Sequence, residues 1–259
     1  MSRLDFSIDG FDPCRAAALA ASLPASVRMV EGDALLLDGA GDWPERLTQV
    51  MALGARRVIL VDPAVVSVEE ALIAQVEQAG VSVMLCETHA DNPAVAPFSA
   101  KLAGPLSAVT ITGQGMAPLA DMILAQMRLA RAVGIEVGDL CDATARGDHA
   151  LAILQATYGG EGLLLRLNVA RSAVGMAHHR LMAHGAAHGA CIEIGSATHA
   201  RPATAFQIGA DEAVHQATIY ESALRTTLRR AAAGDWPEDA QALRAWALAA
   251  QLALAIAAG

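Results

Sequence analysis

The densest group of side chains able to do chemistry is a run of histidines, His178, His179, His184 and His188. Imidazoles so clustered invite the reading of a transition-metal site. On a strand, however, His178 and His179 point to opposite faces and cannot bind one ion together. His184 and His188 flank a Gly185-Ala-Ala turn and could approach each other across it. A metal would then want a further ligand, with Glu193 or His199 as candidates. The spacing matches no strong metal pattern, so these histidines are expected to be structural or at the surface, and no metal site is predicted. Ser172 and Ser196 lack a Gly-x-Ser-x-Gly context, and Cys86 precedes no obvious base, so nucleophilic catalysis has no support.

Glycine-rich turns are the second kind of chemistry to test. A dinucleotide fold needs a glycine-rich turn after its first strand, so that backbone can approach the pyrophosphate at a helix N-terminus. Here that turn reads Asp9-Gly10-Phe11-Asp12-Pro13. It has one glycine, two carboxylates where phosphates would sit, and a proline that removes an amide donor. A carboxylate about 5 Å from a phosphate, at an effective dielectric near 20, costs on the order of 3 kcal/mol. Asp12-Pro13 reads more simply as an N-cap and first-turn pair. The other Gly-x-Gly, Gly39-Ala40-Gly41, is flanked by Asp38 and Asp42 and reads as a tight strand-to-helix turn. Glu31 or Asp33 could mimic a ribose-binding acid, which means little without a phosphate site.

The elements that must position these residues fall into two patterns. Up to residue 113, short apolar runs alternate with amphipathic stretches. Strands are predicted at 4–8, 27–30, 34–37, 58–61, 81–86 and 108–112. Helices are predicted at 14–22, 43–53 and 68–79, the second capped by Asp42 with Pro44 in its first turn. Strand–helix alternation across short loops indicates a parallel α/β unit. Beyond Gly115 a helix is predicted at 121–132. Strands at 163–169, 174–183 and 190–194 follow without a long helix between them, so antiparallel neighbours are expected. Helices at 211–233 and 237–257 close the chain.

Three stretches carry a family resemblance. Arg57-Val-Ile-Leu-Val-Asp62-Pro63-Ala-Val-Val-Ser67 and the helix after it parallel an apolar strand and Thr-Pro loop. Gln78-Ala-Gly-Val-Ser-Val-Met-Leu-Cys86-Glu87-Thr88-His89-Ala-Asp-Asn-Pro93 is similar to an Ala-Gly-Lys-His-Val-Leu-Cys-Glu-Lys-Pro segment with its trailing Asn-Pro. The tail from Tyr220 on, with its Gly-Asp-Trp-Pro turn and alanine-rich helix, is the third. Together they resemble the Gfo/Idh/MocA family of NAD(P)-dependent oxidoreductases over roughly half the chain. The resemblance implies a Rossmann-like parallel-sheet N-terminal domain (1–114) and an α+β C-terminal domain (115–259). The second would be built on an open, mostly antiparallel sheet, often used for oligomerisation.

The same resemblance exposes departures. Where the family carries a catalytic Lys in Glu-Lys-Pro, this chain has Thr88, which offers no charge to a substrate hydroxyl. Lys101, its only lysine, falls too far along to substitute. The family's Asp and His positions align with Gln114 and Pro118, and its loop histidine with Ser67. The cleft is therefore read as vestigial, marked by Gly10, Asp62, Pro63 and Glu87, with no catalytic residue retained and no cofactor predicted.

Composition narrows the remaining classes. Lys and Arg number 18 against 27 Asp and Glu, a formal charge of −9, which disfavours a nucleic-acid surface. The alanine-rich C-terminal segment approaches a membrane span but reads better as a buried helix. No signal peptide is read at the start, and four scattered cysteines suggest mostly buried, reduced thiols in the cytoplasm. The expectation is a non-catalytic or partner subunit that forms a homo- or hetero-oligomer, with the apolar face of the 163–169 strand offered to a partner sheet. The alternative is an active NAD(P)-dependent oxidoreductase on a sugar-like or small hydroxylated substrate with a rearranged site.

Overall fold

The computed structural model describes residues 4–259 except 25, 33, 103, 174–176 and 196–201. Asp33, Ser196 and His199 therefore lie outside the described residues, as does the start of the strand expected at 174–183. The chain divides into two compact units. Residues 1–87 and 223–248 form the first, and 88–222 with 249–259 the second.

The first unit holds β1 (Leu4–Asp9), α1 (Pro13–Ser22), β2 (Val27–Met29), β3 (Ala34–Asp38), α2 (Trp43–Ala52), β4 (Arg57–Val61), α3 (Glu70–Gln78) and β5 (Ser82–Cys86). Its five strands are all parallel, in the order β2-β1-β3-β4-β5. The apolar runs of β4 and β5 are buried on both faces, as a parallel sheet between helices requires. One face packs Phe6, Leu36, Ile59 and Met84 against Leu19 of α1 and against Ala223, Leu228 and Ala231. Those last three belong to α6 (Ala223–Ala233). Trp43 of α2 meets Trp246 edge-on at 5.4 Å between ring centroids, and its indole N–H donates to the Ala64 carbonyl at 3.1 Å.

The second unit starts with α4 (Val95–Lys101), β6 (Ala108–Gly115) and α5 (Leu119–Ala132). Then come β7 (Glu136–Arg146), β8 (His149–Tyr158), β9 (Glu161–Arg171), β10 (His178–His184), β11 (Gly189–Gly195), β12 (Thr204–Ile208) and β13 (Ala213–His215). They form one open sheet in the order β13-β12-β11-β10-β6-β9-β8-β7. Among the described residues only the β6–β9 pair of this sheet is parallel. A parallel-sheet unit plus an open, mostly antiparallel one is the architecture expected. The last helix, α7 (Gln241–Ala258), is long and apolar enough by composition to cross a membrane. Its stripe Leu243, Trp246, Ala250, Ala253 and Ile256 is nevertheless fully buried, at helical spacing.

Five expectations need correcting. The division at 114/115 falls inside β6, which ladders with β9 and β10; the compact units part after Glu87 instead. Neither closing helix belongs wholly to the second unit: α6 supplies cover for the first sheet, and α7 is divided after Leu248, its first part in the first unit and the rest in the second. No helix begins at 211: residues 213–215 form an edge strand and α6 starts at Ala223. Valine and histidine at 214–215 suit a strand better than a helix. Finally, the apolar face of β9 (Leu163, Leu165, Leu167, Val169) is already buried within the unit, where α5 packs on the strand, so it is not free for a partner. Two of the four thiols, Cys14 and Cys141, are also exposed rather than buried.

Candidate functional site

In the first unit the chain leaves β1 toward β2 on one side and returns as β3 on the other. That reversal creates a crevice outside the carboxyl ends of β1 and β3, the place where open α/β sheets bind ligands. The turns there are residues 10–12 after β1 and 39–42 after β3. Sequence spacing alone did not single out the side chain that fills it, Arg46 of α2. Its Nη2 donates to the Asp38 carbonyl at 2.7 Å and, at 3.5 Å, to the Ala40 carbonyl. Its Nε donates to Asp42 Oδ1 at 3.0 Å, and Nη1 lies 3.8 Å from Asp9 Oδ1. The side chain is only 14% exposed. Asp42 thus spends its carboxylate on Arg46 one helical turn away and makes no side-chain N-cap bond.

Gly10 shows what the guanidinium displaces. Its φ is +78°, and a Cβ built there would overlap Arg46 Nη1. The open side of that glycine, which in a dinucleotide fold receives pyrophosphate, receives a cation from the chain itself. Pro13 begins α1 directly after Asp12, so one first-turn amide donor is missing. Residues with this charge and these donors do not fit a pyrophosphate.

The other predicted cleft residues sit at the same ends of the strands. Asp62, just past β4, takes φ +45°, and its N–H donates to the Cys86 carbonyl at 2.8 Å. Pro63 is buried beside Gly39, whose N–H donates to the Val61 carbonyl at 2.8 Å while its own carbonyl accepts from Ala64 N–H at 2.7 Å. The loop after β4 is thereby tied down over the end of β3. Glu87 is half-buried, directly after β5.

In the second unit the positions aligned with catalytic residues are dispersed. Thr88 lies in the turn after β5, Pro118 is the N-cap of α5, and Gln114 is on β6 between His178 and Ala170. Gly113, its neighbour, faces His179 and Gln126, so Gln114 points to the other side of the sheet. A polar group that sequence reasoning missed lies on that inner side. His89 packs edge-on against His179, with centroids 4.3 Å apart. Gln126, fully buried on α5, donates through Nε2 to the Asn168 carbonyl at 3.0 Å. Gln126 Oε1 and His179 Nδ1 are buried without a hydrogen-bond partner. Burial pushes the His89 imidazole down to about 4, and burial, then the neighbouring His89 and His178, push His179 well below its usual range. Both rings are neutral at pH 7 and make weak bases.

His178 and His179 do point to opposite faces, as strand geometry requires: His179 is buried and His178 half-buried. His184 and His188 line one groove of about 370 Å³ on the outer face, with Arg180, Met182 and Phe206. Arg180 Nε donates to Cys191 Sγ at 3.2 Å, and Glu193 is its register partner across β11. Among the described residues no group of three or more His, Cys, Asp or Glu is placed to hold a metal ion.

No family model and no curated protein sequence matches the chain. Its fold matches solved structures of oxidoreductases. A UDP-N-acetylglucosamine 3-dehydrogenase from Acidithiobacillus ferrooxidans aligns with TM-score 0.69 at 15% identity, over 99% of this chain and 96% of that one. A 3-ketoreductase from Actinomadura kijaniata, solved with NADP and TDP-benzene, aligns with TM-score 0.70 at 12% identity, over 99% and 98%. A dehydrogenase from Chromobacterium violaceum aligns with TM-score 0.67 at 12% identity, over 100% and 95%. At such identities the likeness shows the fold alone. The two-unit plan implied by the Gfo/Idh/MocA resemblance is the one this chain adopts.

Proposed function

We propose that this chain, built on the fold of nicotinamide-dependent oxidoreductases, no longer binds a dinucleotide and serves in the cytoplasm as a non-catalytic subunit. It would pair with itself or with a complete oxidoreductase. The observation that carries this reading is the seat of Arg46. A guanidinium bonded to the Asp38 carbonyl and the Asp42 carboxylate occupies the space over Gly10 that a pyrophosphate needs, with the Asp9 carboxylate 3.8 Å from it. Thr88, Gln114 and Pro118, which stand where the resemblance places catalytic groups, supply no proton donor or acceptor that titrates near neutral pH. Titration of the protein with NADH and with NADPH, followed by calorimetry, is expected to give no saturable heat up to about 1 mM, a binding energy of roughly 4 kcal/mol. Micromolar saturation by either would sink the reading.

Pairing would use the outer face of the second sheet, since the inner face is covered. Leu164 at 55% and Ile208 at 49% exposure stand on that outer face, with Arg166 and Arg180 interspersed. Light scattering is expected to report a dimer or larger at micromolar protein, alone or mixed with a complete oxidoreductase of this fold. A monomer under both conditions removes the pairing. The competing reading is an active NAD(P)-dependent oxidoreductase on a sugar-like or small hydroxylated substrate. It draws on the structural neighbours, two of which are described as a nucleotide-sugar dehydrogenase and a ketoreductase. The nicotinamide titration separates the two.

A further inference from the structure

The crevice is more than a phosphate site spoiled by acids, because it presents acceptors to more than one nitrogen of a guanidinium. We propose that the carboxyl ends of β1 and β3 form a guanidinium-binding site, which Arg46 fills in this chain and which takes a small alkylguanidinium when that side chain is removed. The inference rests on the reading that the crevice no longer serves a pyrophosphate.

Acceptors face the guanidinium on both sides of its fork. The Asp38 carbonyl takes Nη2 at 2.7 Å, with the Ala40 carbonyl at 3.5 Å on the same nitrogen. Asp42 takes Nε at 3.0 Å. Asp9 sits 3.8 Å from Nη1, close enough to hold charge though not to hydrogen-bond. Two of these partners are backbone carbonyls in turns fixed by the strand ends, so they remain when the arginine is gone. Gly10 contributes by lacking a side chain, since a Cβ there would overlap Nη1 and its φ of +78° already excludes most other residues. An ammonium can meet one or two of these acceptors but not the spread of the fork, whereas a guanidinium reaches them through separate nitrogens at once. The chemical class admitted is therefore a guanidinium on a slim alkyl stem, such as methylguanidine or the side chain of arginine.

The test uses the full chain carrying Arg46→Ala, with thermal unfolding read in methylguanidinium chloride and in methylammonium chloride at equal ionic strength. Methylguanidinium at tens of millimolar is expected to raise the Tm of the variant saturably by roughly 2–4 °C, to leave the wild type unmoved, and methylammonium to do neither. Arg46→Lys, which keeps the charge and loses the fork, is expected to melt below the wild type, and this comparison carries the test if Arg46→Ala fails to fold. Equal effects of the two cations, or a lysine variant as stable as the wild type, would overturn the proposal. So would saturable NADH binding gained by Arg46→Ala, since the crevice would then be a phosphate site merely plugged. NADH binding by the wild type would instead strike the function proposed above.

Discussion

Gly39→Ala is expected to lose about 3 kcal/mol of stability or more, enough to leave unit 1 only marginally folded. The reason is backbone. A Cβ at Gly39 would overlap the Val61 carbonyl and lie 2.5 Å from Pro63 Cα and 2.6 Å from Pro63 N. No rotamer change relieves a clash with main chain. Relief requires the loop after β4 to lift. That breaks the bonds from Gly39 N–H to Val61 and from Ala64 N–H to Gly39, each contributing about 1 kcal/mol. It also draws Ala64 away from the buried Trp43 indole that donates to its carbonyl. Gly41→Ala, two residues on, is the control: nothing lies within 4 Å of its Cβ position and the change should move stability by less than about 0.5 kcal/mol. Urea unfolding of both variants reads the contrast. Equal stability of the two would mean that the Gly-x-Gly spacing does not answer to packing, and a ligand role for Gly39 would have to be reconsidered.

That contrast also marks how far residue patterns reach. The first sheet was legible because β4 and β5 are continuous apolar runs between helices with clear stops at Gly54 and Gly80, both at positive φ. The second sheet was legible only in part. β9 alternates cleanly, whereas β7 is a bulged edge strand that carries Gly138, Asp139 and Asp142, and β8 is rich in the helix formers Ala, Leu and Gln. Neither signals a strand by composition, since what makes them strands is their mutual pairing and the pairing of β8 with β9. β9 and β10, read as neighbours, instead flank β6, a partner far earlier in the chain. Such long-range pairing leaves no local trace.

The site divides the same way. The absence of a glycine-rich phosphate turn could be read directly from Asp9 to Pro13. Arg46 could not, although its spacing of four from Asp42 is a signal, because only the reversal of strand order brings Asp38 and Gly10 to it. His89 and His179 are ninety residues apart in the chain, and no local pattern joins them; the β10–β6 register and the turn after β5 do. The histidine cluster that stood out in the sequence is split by strand alternation, so proximity along the chain overstated its chemistry.

The pairing of half-buried His89 with buried His179 has the second large consequence, a loss of stability on mild acidification. Burial lowers His89 from 6.5 to about 4, so the unfolded chain binds its proton first as pH falls. The stabilisation is therefore fully present above pH 6.5, erodes as pH drops toward 4, and is gone below that. The full loss from His89 is on the order of 3 kcal/mol, with His179 shifting the same way and adding to it. A proton on either ring also meets the other ring 4.3 Å away, so the second protonation is opposed by the first. Urea unfolding at pH 7.5, 6.0 and 5.0 should show falling midpoints, while His89→Asn, which cannot titrate, should flatten the decline even if it is less stable at pH 7.5. Parallel pH profiles for the two proteins would place the acid sensitivity elsewhere and leave the pair as packing alone.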